Sequence, residues 1–286
     1  MRASQPFRFG IAITLLLSIG AWADVRDDDL KSAYVGKVLT LRQFYSGPQL
    51  RFDANGNLIG SGWPDAWTVA GQIRVEHISL KNGVLDVRGQ RLFLFYDSDS
   101  KSLRDVGSLS KDDPARKRFS DKLVKWYAKT SKVEIQIGCG DLQTQDDATK
   151  SMNAVFVPPD EPLADAVPAF WKNWLKRQAG EAAKPADNLK AIDRVGKGVS
   201  PPKVTYDPDP AYSEIARQAR YQAVTVLWLV IAADGPPQDI HILKPAGMGL
   251  DEEAVRAVQT WKFNAAMKDG QPVPVQINVE VNFRLY

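Results

Sequence analysis

At 286 residues, with 44% hydrophobic and 25% charged side chains, the chain has enough apolar material for packed cores, which excludes wholesale disorder. Its 37 basic and 34 acidic residues leave a net charge of +3 with no dense Lys/Arg tract, so a nucleic-acid partner is excluded. The length suits two domains joined by a linker.

Residues 1–23 read as an export signal. Arg2 and Arg8 give a positive start, residues 11–19 are apolar apart from Thr14 and Ser18, and Ala21-Trp22-Ala23 offers a small-x-small cleavage site before Asp24. A retained inner-membrane anchor is the alternative, but the apolar run of residues 9–23 is short for a spanning helix. Cys139 is the sole cysteine, so no internal disulfide framework can form. It reads as a small buried hydrophobe at a strand end rather than as a reactive thiol.

Residues 24–177 are expected to form a β-rich domain. Strand patterns recur at residues 37–42, 49–52, 67–69, 73–80, 84–87, 92–96 and 133–137, and Asn55-Gly56, Asn82-Gly83 and Gly89-Gln90 supply turns. They predict an antiparallel sheet or small barrel. Phe119, Leu123, Val124 and Trp126-Tyr127 mark one helix, and Phe170, Trp171 and Trp174-Leu175 mark another that closes the domain. The aromatic groups Phe93-Phe95-Tyr96 and Phe170-Trp171-Trp174 have core spacing, with a ligand groove as the alternative.

Residues 178–209, rich in Ala, Lys and Pro, read as a linker. Beyond it lies a small unit over residues 210–286. A helix is expected at 211–221, a strongly apolar strand at 224–231, a turn at Asp234-Gly235, a strand at 240–243 and a helix from Leu250 to Trp261. In the final stretch Val275, Ile277, Val279, Val281, Phe283 and Leu285 alternate with Gln276, Asn278, Glu280, Asn282 and Arg284. That alternation predicts a strand with one buried and one polar face. The fold class is therefore α+β: a β-rich N-terminal domain followed by a small antiparallel sheet with two helices.

The chemistry-bearing motifs are few. Residues 53–57 begin like a calcium loop, but Leu58 and Pro64 stand where glycine and a bidentate acid are needed, so a hairpin turn is expected. Asp97-Ser98-Asp99 reads as a solvated loop tip. His77 and His241 lie in different domains, without ligand partners at metal spacing. With no nucleophile elbow, phosphate loop or dinucleotide fingerprint, the expectation is a protein without enzymatic activity, cofactor or metal.

From about residue 199 to 286 the chain resembles the TonB C-terminal domain family. The resemblance rests on Pro210-Ala211-Tyr212, Ala216-Arg217, the apolar strand ending at Asp234-Gly235, Leu250-Asp251, Ala254, Ala257-Val258, Trp261-Lys262-Phe263, Gly270, Pro272-Val273 and Phe283. Ala223 and Ala265 depart from the usual glycine and proline, but both are small. The resemblance implies a periplasmic module that pairs a strand with an extended segment of a TonB-dependent outer-membrane transporter. Physically, that strand is the one carrying Val275, Gln276, Ile277, Asn278, Val279, Glu280, Val281, Asn282 and, just beyond, Arg284, because a free edge offers main-chain hydrogen bonds to another strand. Homodimer pairing on the same edge, as in a self-associating envelope protein, is an alternative. An anchored energy transducer is another, although residues 1–23 lack the histidine such transducers carry and a folded domain replaces their long spacer.

Overall fold

A computed structural model describes residues 27–140, 145–181 and 192–285. The export-signal reading of residues 1–23 lies outside the described residues, as does the middle of the expected linker. The architecture is α+β, built on two principal sheets.

The first sheet contains β1 (Val38–Thr40), β2 (Gln49–Phe52), β3 (Gln72–Lys81), β4 (Val84–Arg91) and β5 (Lys132–Gly138), in the spatial order β1-β3-β4-β5-β2. The β3–β4 hairpin turns at Asn82-Gly83, both at positive φ, as the tight-turn pair predicts. The sheet is neither a barrel nor wholly antiparallel, because β2 lies parallel to β5 in the register Leu50↔Ile135. Such a pairing needs a long connection, and residues 53–131 supply one that no local pattern reveals. The alternating residues Ile73, Val75, Leu85, Val87, Val133, Ile135 and Ile137 face a hydrophobic core. That core is closed by Leu30 of helix α1 (Asp27–Tyr34) and by Ala148, Met152 and Val155 of helix α3 (Gln145–Val155). Cys139 is half-buried against this core, just past the end of β5, and its thiol donates to the Ile137 carbonyl.

Trp67-Thr68-Val69, predicted as a strand, instead belongs to one helical turn, Trp67–Ala70. The amides of Val69 and Ala70 both donate to the Ala66 carbonyl. All four residues of the turn are buried, so packing on every side overrides the β-branched propensity. Residues 53–57 form the expected turn, with the Asp53 carboxylate accepting from the amides of Asn55 and Asn57. Asp97 is not a solvated tip: it is buried and accepts from Ser100 and Arg104.

The second sheet contains β6 (Asp193–Arg194), β7 (Ala223–Ile231), β8 (Pro237–Lys244) and β9 (Val275–Phe283), in the order β6-β9-β7-β8. Its helices are the short Glu214–Gln218, capped by the Ser213 hydroxyl on the Ala216 amide, and α5 (Leu250–Thr260). Residues 203–206 of the expected linker form a strand against Lys262–Asn264.

A second core is shared by both halves of the chain. Phe93, Phe95, Phe119 and Tyr127, the last on helix α2 (Asp121–Thr130), join Trp171 and Trp174 of helix α4 (Ala169–Gln178) and Leu227, Ile242, Val258 and Phe283 in one cluster. Main-chain bonds cross the same junction, from the Met248 amide to the Leu94 carbonyl at 2.6 Å and from the Tyr96 amide to the Ala246 carbonyl at 2.9 Å. Gly247 permits this approach: its φ is +84°, and a Cβ there would meet the Leu94 oxygen at 2.4 Å.

Two acids at the start of α5 are buried at this junction. The Asp251 carboxylate accepts from the amides of Ala246 and Gly247 and from the Thr225 hydroxyl, and Glu252 accepts from the Trp171 indole at 3.0 Å. Burial pushes the Asp251 pKa up to about 6 against those hydrogen bonds. Burial, and then the Asp251 charge, push Glu252 up to about 7.

Candidate functional site

The site is the outer margin of β9. Nine residues of this strand pair with β7, from Ala223↔Phe283 to Ile231↔Val275, so its inner margin is fully engaged. Val275, Val281 and Phe283 are buried in the shared core, and the Phe283 ring meets Tyr212 edge-on at a centroid distance of 5.5 Å. Ile277 and Val279 face the same way but are only partly covered. Asn278, Glu280 and Asn282 point to the opposite, exposed face, and Gln276 is half-buried.

Eight of the nine candidate residues, Val275, Gln276, Ile277, Asn278, Val279, Glu280, Val281 and Asn282, thus lie on one strand, and Arg284 follows directly after it. Their outer main-chain margins differ. Val275 and Gln276 already pair with Asp193 and Arg194 of β6, in parallel. Among the described residues, Ile277 to Phe283 have no strand on that side. A shallow hollow sits at each end of the unpaired stretch. One, of about 390 Å³, is lined by Arg194, Val195, Gln276, Ile277 and Asn278. The other, of about 410 Å³, is lined by Asp209, Pro210, Tyr212, Asn282, Phe283 and Arg284. Tyr212 is held by its hydroxyl donating to the Tyr221 carbonyl at 3.3 Å, and burial raises its pKa.

The far edge of the sheet, on β8, is closed. Helix α4 packs along it, and the Arg177 guanidinium donates to the carbonyl of Ile242 at 3.1 Å. Burial lowers the Arg177 pKa, as desolvation of a cation requires.

Pattern reasoning missed β6 and the Lys268 side chain that anchors it, because Asp193-Arg194 sits in a stretch with no alternation. The only legible signal nearby is the Gly196-Lys197-Gly198 turn. Of the aromatic groups weighed as a groove, Phe93 lines a cleft of about 780 Å³ with Trp63, Arg91, Trp126 and Ser213. Phe95, Trp171 and Trp174 are core. Among the described residues, no group of three or more His, Cys, Asp or Glu is placed to hold a metal ion.

A family comparison falls on this same region. A family model described as Gram-negative bacterial TonB protein C-terminal matches residues 208–285. Protein tonB2 of Pseudomonas aeruginosa is 28% identical over 81 residues, which are 28% of this chain and 30% of that protein. Protein TonB of Xanthomonas campestris pv. campestris is 30% identical over 96 residues, 33% of this chain and 40% of the relative. Protein TonB of Vibrio cholerae is 29% identical over 86 residues, 30% of this chain and 35% of the relative. The matches therefore span well under half the length of these relatives. The solution NMR structure of the Pseudomonas aeruginosa TonB CTD is 24% identical with a TM-score of 0.26, covering 34% of this chain and 96% of that one.

Proposed function

We propose, from the premise that residues 208–285 are a TonB-type C-terminal domain, that this protein is a periplasmic binding protein of the cell envelope. Its C-terminal sheet accepts an extended strand from a TonB-dependent outer-membrane transporter, alongside β9. The observation that carries this reading is the asymmetry of the sheet: β8 is packed by α4 and Arg177, whereas among the described residues no strand pairs with the outer margin of β9 from Ile277 to Phe283. A bare edge supplies unsatisfied N–H and C=O groups for affinity, and the half-covered Ile277 and Val279 supply apolar contact for alternate side chains of the incoming strand. The role is binding, without catalysis.

The organisation proposed with it is an exported chain cleaved before Asp24, a β-rich N-terminal domain to residue 177, a connecting stretch over 178–209 and the binding domain from 210. No helix among the described residues is long and apolar enough to cross a membrane. Mass spectrometry of the protein recovered from a Gram-negative host checks the localisation: a soluble product starting at Asp24 is expected, and a membrane-bound product retaining Met1 would replace this reading with an anchored transducer.

The partner is tested with Asn282→Cys in a Cys139→Ser background, carrying a photoactivatable cross-linker and irradiated in cells. The expected adduct is with an outer-membrane transporter, identified by mass spectrometry, and Gln238→Cys on the closed edge should not form it. Adducts only with a second copy of this chain would make the edge a self-association surface instead.

A further inference from the structure

Among the described residues, strand β6 is the only parallel neighbour in the second sheet, and it engages two residues of β9. So short a pairing does not hold itself in place, yet β6 is fastened independently of β9. The Asp193 carboxylate accepts from the Lys268 ammonium at 3.1 and 3.2 Å. Val199 is buried and bridges to Lys268, while the Ser200 amide donates to the Met267 carbonyl and the Ser200 hydroxyl accepts from the Met267 amide. Residues 193–200 are therefore tied to the Ala266–Lys268/Gln271–Val273 hairpin that leads directly into β9.

The pairing also ends abruptly. Gly196, Lys197 and Gly198 all have positive φ, at 104°, 51° and 88°, and Gly196 and Val199 exchange both main-chain hydrogen bonds. Two consecutive left-handed residues at 197 and 198 make a tight reversal that turns the chain off the edge immediately after Arg194. The exposed Val195 and the guanidinium-bearing Arg194 are left as one wall of the hollow beside Ile277.

We propose that residues 193–199 are a built-in stop on the acceptor edge, which limits an incoming strand to the stretch from Ile277 to Phe283 and so sets its register. This rests on the strand-acceptor reading of β9 given above. The stop works sterically, because the positions beside Val275 and Gln276 through which a longer strand would continue are already taken by Asp193 and Arg194. A one-residue slip would turn every side chain of the partner to the opposite face, so a fixed starting point determines which of its side chains meet Ile277 and Val279. The fitting partner is an extended polypeptide with apolar side chains at alternate positions and a free or bending end at Arg194.

The probe is a blocked synthetic peptide, acetyl-Lys-Thr-Val-Thr-Val-Thr-Val-Lys-amide, added to the full chain while amide hydrogen exchange is followed along β9. New protection is expected from Ile277 to Phe283 and not at Val275 or Gln276. In Asp193→Ala/Lys268→Ala, protection should extend to Gln276 and binding should tighten roughly fivefold, the equivalent of one added main-chain hydrogen bond. A second variant, Ser200→Cys/Met267→Cys in a Cys139→Ser background, locks the segment to the hairpin by oxidation at a pair outside the acceptor edge and should bind the peptide as the unaltered protein does. Loss of binding on locking would show that the segment must leave, which overturns the stop. Peptide-induced exposure of the β6 pairing in the unaltered protein would overturn it as well. Both results would leave the acceptor edge standing, whereas no new protection anywhere on β9 would remove the acceptor edge and the stop together.

Discussion

The two margins of the C-terminal sheet are made of similar strands but end differently. β8 and β9 are of comparable length, both pair antiparallel with β7, and both carry charged or polar side chains on their outer faces. Yet β8 is packed by a helix contributed from more than sixty residues earlier in the chain, and among the described residues the outer margin of β9 is paired only at its first two positions. The charges on a strand therefore do not tell whether its edge is open. What closes an edge is a neighbouring element able to satisfy its carbonyls and pack against its flank, as Arg177 and helix α4 do here.

The largest disturbance of this asymmetry should come from Trp171→Ala. The Trp171 side chain is fully buried, packs edge-on against Trp67 at a centroid distance of 4.9 Å and donates to Glu252. Its truncation should cost about 3–5 kcal/mol in chemical denaturation and loosen α4 from β8, seen as faster amide exchange in Ile242 and Leu243. Next is Gly247→Ala, which forces a side chain into a left-handed backbone against the Leu94 carbonyl. A loss of about 2–3 kcal/mol is expected, with the junction between the halves opening before either sheet unfolds.

Glu252→Gln probes the same closed side through pH. Burial holds the folded-state pKa of Glu252 at about 7, above its ordinary 4.5, so the folded protein binds this proton more tightly than the unfolded chain. The resulting stabilisation is complete below pH about 4.5 and is lost as the pH rises through about 7. Glutamine should remove that loss, leaving the variant about 1–2 kcal/mol more stable than the unaltered protein at pH 8 and little different at pH 5. A residual slope of the same sign should remain at lower pH from Asp251, held at about 6. An unchanged stability profile from pH 5 to 8 would mean that Glu252 is hydrated at the junction. The smallest effect should be that of Arg177→Ala, about 0.5–1.5 kcal/mol, since it removes hydrogen bonds to a carbonyl that water can partly replace. It should leave binding at β9 unaltered, and equal loss of peptide binding would show that the two margins are coupled.

The first sheet offers a similar contrast. Its hairpin β3–β4 is legible because alternation and an Asn-Gly turn are local, but the placement of β2 beside β5 depends on a partner some eighty residues away. Trp67-Thr68-Val69 fails for a related reason: its β-branched pattern suits a strand, but burial on all sides permits one compact helical turn. The helices Asp27–Tyr34 and Gln145–Val155 carry too few apolar residues to announce themselves, and it is one stripe on each that seals the first core.

By itself the sequence determined the α+β class, the strand at 275–283 with its two faces, the helix from Leu250 and the family resemblance of the last third, because each is written in side chains two, three or four residues apart. Only the tertiary structure decided that the N-terminal aromatics share one core with the C-terminal sheet, that β8 is closed by α4, and that Asp193-Arg194 occupies the start of β9. An open edge is the absence of a neighbour, and neighbours come from distant parts of the chain through packing that no local period records.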